Sequence, residues 1–405
     1  MTMKLNIRRG CNQIGGNCIE LEHNNTRVLL DFGIPLEAMD IKDFKIEDYK
    51  PNISSNYEAV FLSHAHPDHY GLLGLLDKET PIYATAETCN ILKNIAPLTT
   101  KFDTNELNLK VIEAPLQIGK FLIIPHDIDH SIGGACAYEI QCNGKTIVYT
   151  GDIRFHGRCQ YKNSVFKRKL DKVDYLIMEG TTISREQQTI VKEEDLKARF
   201  VEVFSTSKLP IVAFSPQNID RFITVYKACI EANKTLVIDP YTSYILELYG
   251  IDNKNIPQFN WKNIRVYFAS NSITSALAET KKLYKYKASK ITIDEIINEP
   301  TKFVIKGNHI INERIFESIP KENLSIIYSM WKGYLDKPSQ FDNYKDIITH
   351  IHTSGHAYVE DLQAFVNDVK PACIIPIHTE CKDKYKDLFN AEIIIADDNI
   401  PLDLK

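Results

Sequence analysis

Short apolar runs rich in β-branched and aromatic residues dominate the first 180 positions. They fall at 26–31 (TRVLLD), 58–62 (EAVFL), 121–124 (FLII), 136–141 (CAYEIQ), 145–150 (KTIVYT) and 174–178 (DYLIM). Runs of this length and composition predict strands. Asn143-Gly144 lies between two of them and predicts a tight hairpin. The pattern changes over 186–325. A charged helical stretch at 192–206 leads to a strand at 210–214 (PIVAF), a helix at 218–232, a strand at 235–239 (TLVID) and a helix near 243–249. Strands alternating with helices predict parallel βαβ units, hence a separate α/β domain. Beyond it come a strand ending at Thr353, a helix at about 358–369 and a strand at 373–377 that ends at His378. No internal repeat or low-complexity tract interrupts the chain.

Composition narrows the class. With 405 residues, 44% hydrophobic and 25% charged, the chain can bury a large core and is not disordered, collagenous or a coiled coil. The formal charge of -5 sets up no global basic field for nucleic acid. The runs Lys167-Arg168-Lys169 and Lys281 to Lys290 read as solvated surface. Nine cysteines, none in a CxxC pair, argue against a disulfide framework and for a reducing, cytoplasmic setting. The opening MTMKLNIRRGCNQ has no apolar core of a secretion signal, and no run reaches membrane-spanning length, so no membrane partner is expected.

Three of the 12 histidines share one window, His64-Ala65-His66-Pro67-Asp68-His69, directly after the strand EAVFL. Ligands at the end of a strand can be held rigidly by the sheet below. His64 and His66 are spaced to face one metal, and Asp68 and His69 come next, where a turn can aim them at a second. Imidazole and carboxylate suit zinc, and also manganese or iron. A surface cluster without function would not need Pro67 and Asp68 inside it.

This HxHxDH signature resembles that of the metallo-β-lactamase superfamily, and the likeness extends along the chain. His130 in DIDHSIGG stands 61 residues after His69, and Asp152 in IVYTGDIR 22 residues further on. Both match the family's order. Asp31 in LLDFG matches its early supporting aspartate. The resemblance implies two divalent metals, zinc with manganese as the alternative, about 3.5–4 Å apart. His64, His66 and His130 would hold one, Asp68, His69 and a last histidine the other, with Asp152 bridging. A metal-activated hydroxide would be the nucleophile, oriented by Asp68.

After Asp152 the chain reads VDYLIMEGTTISRE and then inserts the α/β segment. This resembles the β-CASP branch, which processes nucleic acids and includes ribonuclease J and mRNA 3′-end processing endonucleases. Glu179 falls at the branch's acidic motif, His356 in TSGHA at its second, and His378 in IPIHTE at its third, as the seventh metal ligand. The implied fold is an αββα sandwich from 1–185 and 326–405, with a β-CASP-like α/β domain at 186–325 capping the site. Plain structural readings compete at each position: a surface acid for Glu179, a helix-start residue for His356, a buried imidazole for His378.

The implied function is a nuclease cleaving RNA, with single-stranded DNA as a further substrate. Asp68, Glu179 and His356 would be catalytic. Ser354 and Gly355 would bind phosphate at the start of the next helix, His356 protonating the leaving oxygen there. In the inserted domain, Ser215, Asn218 and Arg221 after PIVAF would grip a second phosphate, against an ordinary helix cap with a surface arginine. His126, His156, His350 and His352 are not read as ligands. His156, flanked by Arg154 and Arg158, is either a substrate contact or a loop residue. The alternatives are a small-molecule hydrolase acting on a lactone, thioester or phosphodiester, and a binding protein with a degenerate site. Ribonuclease J proteins carry a further C-terminal domain, whereas this sequence ends 27 residues after His378. A homodimer is left open.

Overall fold

Asn143 and Gly144 both adopt positive φ (51° and 73°) in the turn between Cys136–Cys142 and Lys145–Tyr149. A two-residue turn of this handedness matches the twist of the strands it joins, which pair antiparallel. The computed structural model describes all residues except Met1, 40–44, 54–55, 100–102, 186–188, 252 and 270. The chain divides into two units. One comprises Met1–Phe155, Cys159–Thr189 and Gly355–Lys405; the other, His156–Arg158 and Ile190–Ser354.

The first unit holds two seven-stranded sheets. One runs in spatial order Leu402–Leu404, Met3–Arg9, Cys18–His23, Thr26–Phe32, Ala59–Phe61, Ile82–Ala84, Leu109–Val111. The other runs Glu392–Ile393, Cys373–Ile377, Tyr175–Glu179, Lys145–Tyr149, Cys136–Cys142, Phe121–Asp127, Leu116–Ile118. Alternation along the strands sorts the core into layers. Val28, Leu30, Phe61, Tyr138, Ile147 and Ile177 pack between the sheets. Leu29, Val60 and Leu62 point outward to Cys89 and Leu92 of helix Ala86–Asn94. Val148, Leu176 and Ile374 point outward to Phe166 and Phe365, on helices Gln160–Lys169 and Val359–Val369. Sheets buried on both faces explain why these strands read as continuous apolar runs. The architecture is the expected αββα sandwich.

The second unit is a parallel sheet in the order Lys290–Ile291, Ile264–Tyr267, Thr235–Ile238, Phe303–Lys306, Leu209–Ala213, Leu324–Tyr328, Ile348–His350. Its extent corrects the expected boundary at 325. Leu324–Tyr328 and Ile348–His350 complete this sheet, so the unit continues to Ser354. The last of these strands also stops at His350 rather than Thr353; beyond it Ile351 N–H makes a single backbone bond to the Tyr328 carbonyl (3.2 Å). All nine cysteines are free thiols. Among the described residues, no helix is long and apolar enough to cross a membrane.

Candidate metal and catalytic centre

The HxHxDH window leaves strand Ala59–Phe61 and turns at once into the short helix Pro67–Tyr70, with His66 in extended conformation before it and Pro67 in its first turn. Proline fits there because no N–H is required of it. Asp68 and His69 are thereby aimed back at His64. The loop is clamped from the side: Asn17 N–H donates to the Asp68 carbonyl (3.1 Å) and Ile34 N–H to that of Pro67 (3.2 Å). Gly33 makes this approach feasible, since a Cβ there would lie 1.6 Å from the Asp68 carbonyl oxygen.

The structure brings all seven expected ligand residues together in two sets. His64, His66, His130 and Asp152 form one; Asp68, His69, Asp152 and His378 form the other. Within each, one ligand atom per residue lies within 4.8 Å of the rest. Asp152 Oδ2 is 3.6 Å from His64 Nε2 and 3.2 Å from His69 Nε2, while its Oδ1 is 3.7 Å from His378 Nε2. His66 Nδ1 sits 2.9 Å from His64 Nε2 and 3.3 Å from His130 Nε2.

The outward ring nitrogens of His69 and His378 are held by the surrounding protein. His69 Nδ1 donates to Asp31 Oδ2 (2.7 Å), an oxygen that also accepts from Ser63 Oγ (2.7 Å) and the Tyr149 hydroxyl (2.6 Å). His378 Nδ1 lies 2.7 Å from Thr181 Oγ1. Such bonds fix tautomer and ring orientation, leaving the inner nitrogens as ligands. Asp31 and His378 both hold positive φ (55° and 52°), a strained conformation for a non-glycine residue that recurs at functional sites.

The donor set fits divalent ions. His69 Nε2 and Asp152 Oδ1 are buried without a hydrogen-bond partner among the described residues. Leaving such atoms unsatisfied is costly, and both residues belong to the Asp68–His69–Asp152–His378 set. Nitrogen and carboxylate donors in these numbers suit zinc or manganese.

Protonation differs between the sets. Burial pushes His64 and His130 well below the usual imidazole range and His66 down to about 4. Burial acts the same way on His69 and His378, but the nearby carboxylates outweigh it and raise both: Asp152 first, then Asp31 and Asp68 for His69, and the Asp68 hydrogen bond for His378. Burial opposes the ionisation of Asp68 too, yet His69 and His378 hold it at about 2; the same two rings keep Asp152 well below the carboxylate range.

A third grouping adjoins these: Asp152, Glu179, His356 and His378. His356 Nδ1 lies 3.0 and 3.2 Å from the two Glu179 oxygens and 3.8 Å from Asp152 Oδ2. Glu179 Oε1 also accepts from Ile153 N–H at 2.8 Å. The His356 side chain keeps 19% of its surface exposed, against 1% for Glu179.

Two expectations are corrected here. His356 does not open a helix: the helix starts at Val359, behind Tyr358 as its cap, and His356 sits in a bend. Two bonds hold that bend, one from Ala357 N–H to the Ile153 carbonyl (2.7 Å) and one from the Thr182 side-chain hydroxyl to the Ala357 carbonyl (2.6 Å). Gly355 lets the chain pass the His130 loop, where a Cβ would meet Ser131 Oγ at 3.0 Å. Ser354 is buried, its carbonyl accepting from His156 Nε2 at 2.8 Å. The second correction concerns Arg221, which cannot grip a phosphate. It is fully buried, with Nε and Nη2 on Glu193 (2.8 and 3.0 Å) and Nη1 on the Ser329 carbonyl (2.9 Å). Asn218 Oδ1 accepts from Arg221 N–H as an ordinary helix cap (3.0 Å), and Ser215 Oγ accepts from Gln217 N–H at 3.3 Å.

Sequence reasoning missed Ser63, Tyr149 and Thr181, which orient ligands; it also missed the buried Arg154–Asp129 pair (3.2 Å) beside His130. Serine, threonine and tyrosine at strand ends carry no motif, so nothing in the sequence marks them.

Comparison with known proteins agrees with this geometry. Residues 26–208 match the beta-lactamase superfamily domain, and residues 345–394 the Zn-dependent metallo-hydrolase RNA specificity domain. A ribonuclease J of Helicobacter pylori is 24% identical over 94% of this chain and 56% of its own length. The chain thus spans little more than half of that relative. A ribonuclease J of Pyrococcus abyssi is 23% identical over 93% of this chain and 90% of its own. An RNase J-like protein of Methanocaldococcus jannaschii is 30% identical over 44% of this chain and 42% of its own. A crystal structure of a protein of unknown function from Enterococcus faecalis superposes over 100% of both chains with a TM-score of 0.80 at 23% identity, a likeness of fold. The chain belongs to the metallo-β-lactamase superfamily, in its β-CASP, ribonuclease J-like branch.

Proposed function

We propose that this protein is a metal-dependent ribonuclease that hydrolyses phosphodiester bonds, using two zinc ions or, as the alternative, two manganese ions. His64, His66 and His130 hold one ion, Asp68, His69 and His378 the other, and Asp152 serves both. When bound, the ions supply Lewis acidity and a water acidified toward a pKa of about 7. Asp68 orients that water. His356, the most exposed imidazole of the third grouping, delivers a proton to the departing ribose oxygen, and Glu179 holds its ring in position.

The observation that carries this reading is the Glu179–His356 pair at 3.0 Å, beside Asp152 yet outside both ligand sets. A metal site that only stored ions would need no acid–base pair at its edge. The names of the relatives favour RNA.

The test is to incubate metal-loaded protein with RNA and with single-stranded DNA, each labelled at the 5′ or the 3′ end. The reading expects metal-dependent shortening of RNA that a chelator stops, and the two labels separate exonucleolytic from internal cleavage. Hydrolysis of lactones or thioesters with polynucleotides left intact would move the assignment to a small-molecule hydrolase.

A further inference from the structure

His156 follows Asp152 by four residues in GDIRFHGR but belongs to none of the three groupings at the centre. It is buried, and its Nε2 lies 2.8 Å from the Ser354 carbonyl. A carbonyl only accepts, so Nε2 carries the hydrogen and donates. His156 is the first residue after the chain leaves the first unit at Phe155. Ser354 is the last before the chain returns to it at Gly355. This one bond therefore ties two crossings of the chain together, two residues before His356.

Both partners are themselves fixed. Glu193 N–H donates to the His156 carbonyl (3.0 Å). The Glu193 carboxylate holds Arg221, whose Nη2 also donates to the Thr353 carbonyl (3.3 Å). Thr353 Oγ1 donates in turn to the Val191 carbonyl (2.6 Å). On the other side of His356, Ala357 N–H donates to the carbonyl of Ile153, the residue next to Asp152 (2.7 Å). His356 thus stands between two rungs, Ser354 to His156 and Ala357 to Ile153. Both rungs end on the short stretch that begins at Asp152. The need for a rung on each side is physical. Gly355, immediately before His356, has no Cβ to restrict its backbone, and Glu179 holds the ring through Nδ1 alone. A ring free to swing about Gly355 would lose its aim, and a misplacement of about 1 Å can cost about 100-fold in rate.

We propose that His156 is a positioning residue, which holds the Ser354 carbonyl and through it keeps the His356 ring in register with Asp152. This rests on the ribonuclease reading, in which His356 passes a proton to the departing ribose oxygen. It deepens that reading by naming what aims the proton.

The test compares the metal-loaded full chain with its His156→Ala and His156→Gln variants. Glutamine offers an amide N–H in place of the imidazole Nε2–H, and alanine offers none. Single-turnover RNA cleavage by His156→Ala should fall by about 10- to 100-fold. Metal content and the RNA concentration giving half the maximal rate should stay parental, and His156→Gln should recover most of the loss. Hydrolysis of bis(p-nitrophenyl) phosphate by His156→Ala should keep its parental rate, because nitrophenolate departs without a proton. Hydrogen exchange of the peptide 353–358 should quicken in His156→Ala while helix Val359–Val369 keeps its protection. Equal losses on RNA and on the nitrophenyl ester would reduce His156 to a structural residue and overturn the proposal. Parental RNA cleavage, or unchanged exchange at 353–358, in His156→Ala would overturn it as well. A parent that cleaves no RNA ends the ribonuclease reading; the exchange measurement then decides the tether alone, which faster exchange at 353–358 keeps and unchanged exchange overturns.

Discussion

His356 Nδ1 stands 3.0 Å from Glu179 Oε2, while Glu179 Oε1 is fixed at 2.8 Å by the backbone N–H of Ile153. The carboxylate is therefore immobile before it meets the imidazole, and the ring is held through Nδ1 with Nε2 on its far side. Replacing Glu179 by glutamine preserves the shape and removes the charge. Glu179→Gln should lower turnover on RNA while leaving metal content unaltered. Loss of metal in that variant, measured by elemental analysis, would make Glu179 part of the metal centre instead.

His378 and His356 lie side by side, with ring centroids 5.5 Å apart, but have different partners. His378 Nε2 faces Asp68 Oδ2 (3.4 Å) and Asp152 Oδ1 (3.7 Å). His378→Ala should fall from two metals per chain toward one and lose activity with it. A full complement of two metals in His378→Ala would refute its role as a ligand.

Asp31 collects Ser63, His69 and Tyr149 on one carboxylate. The carboxylate sets which nitrogen of His69 faces the centre. Partners of this kind are worth about 10–100-fold in metal affinity. Asp31→Ala should weaken binding at the Asp68–His69–His378 set by that factor, read by competition with a metal chelator, with a smaller effect at the His64–His66–His130 set. Equal affinity in variant and parent would remove Asp31 from the centre's support.

Arg221 is buried against Glu193. Breaking a buried ion pair by removing one partner costs about 3–5 kcal/mol. Glu193→Ala should lower resistance to denaturant by that order. Arg221→Met keeps the volume without the charge but strands the buried Glu193 carboxylate, and should lower resistance to denaturant by the same order. Unchanged resistance to denaturant in either variant would contradict the structural role of the pair.

How far each feature can be read from the sequence depends on how local its cause is. The His64–His69 window, His130, Asp152, Glu179, His356 and His378 are readable because each ends a strand or sits in a short loop with a recognisable order. The sandwich is readable because its strands are buried on both faces and so are apolar throughout. Arg221 misleads because a residue three positions after a helix cap can face core or solvent, and Glu193, which decides the matter, is 28 residues away. The unit boundary is hidden because Leu324–Tyr328 shows its allegiance only through pairing with Leu209–Ala213, more than a hundred residues earlier. The support of Asp31 by Tyr149 joins residues 118 apart and has no local signature.

The most direct measurement is single-turnover cleavage of a labelled RNA by His356→Ala at verified metal occupancy. His356 lies outside the two ligand sets, so the ions should remain while the proton donor is gone. The account predicts two metals per chain, as in the parent, with the cleavage rate reduced by about 10²–10⁴-fold. Parental cleavage rates in a fully metal-loaded His356→Ala protein would contradict it.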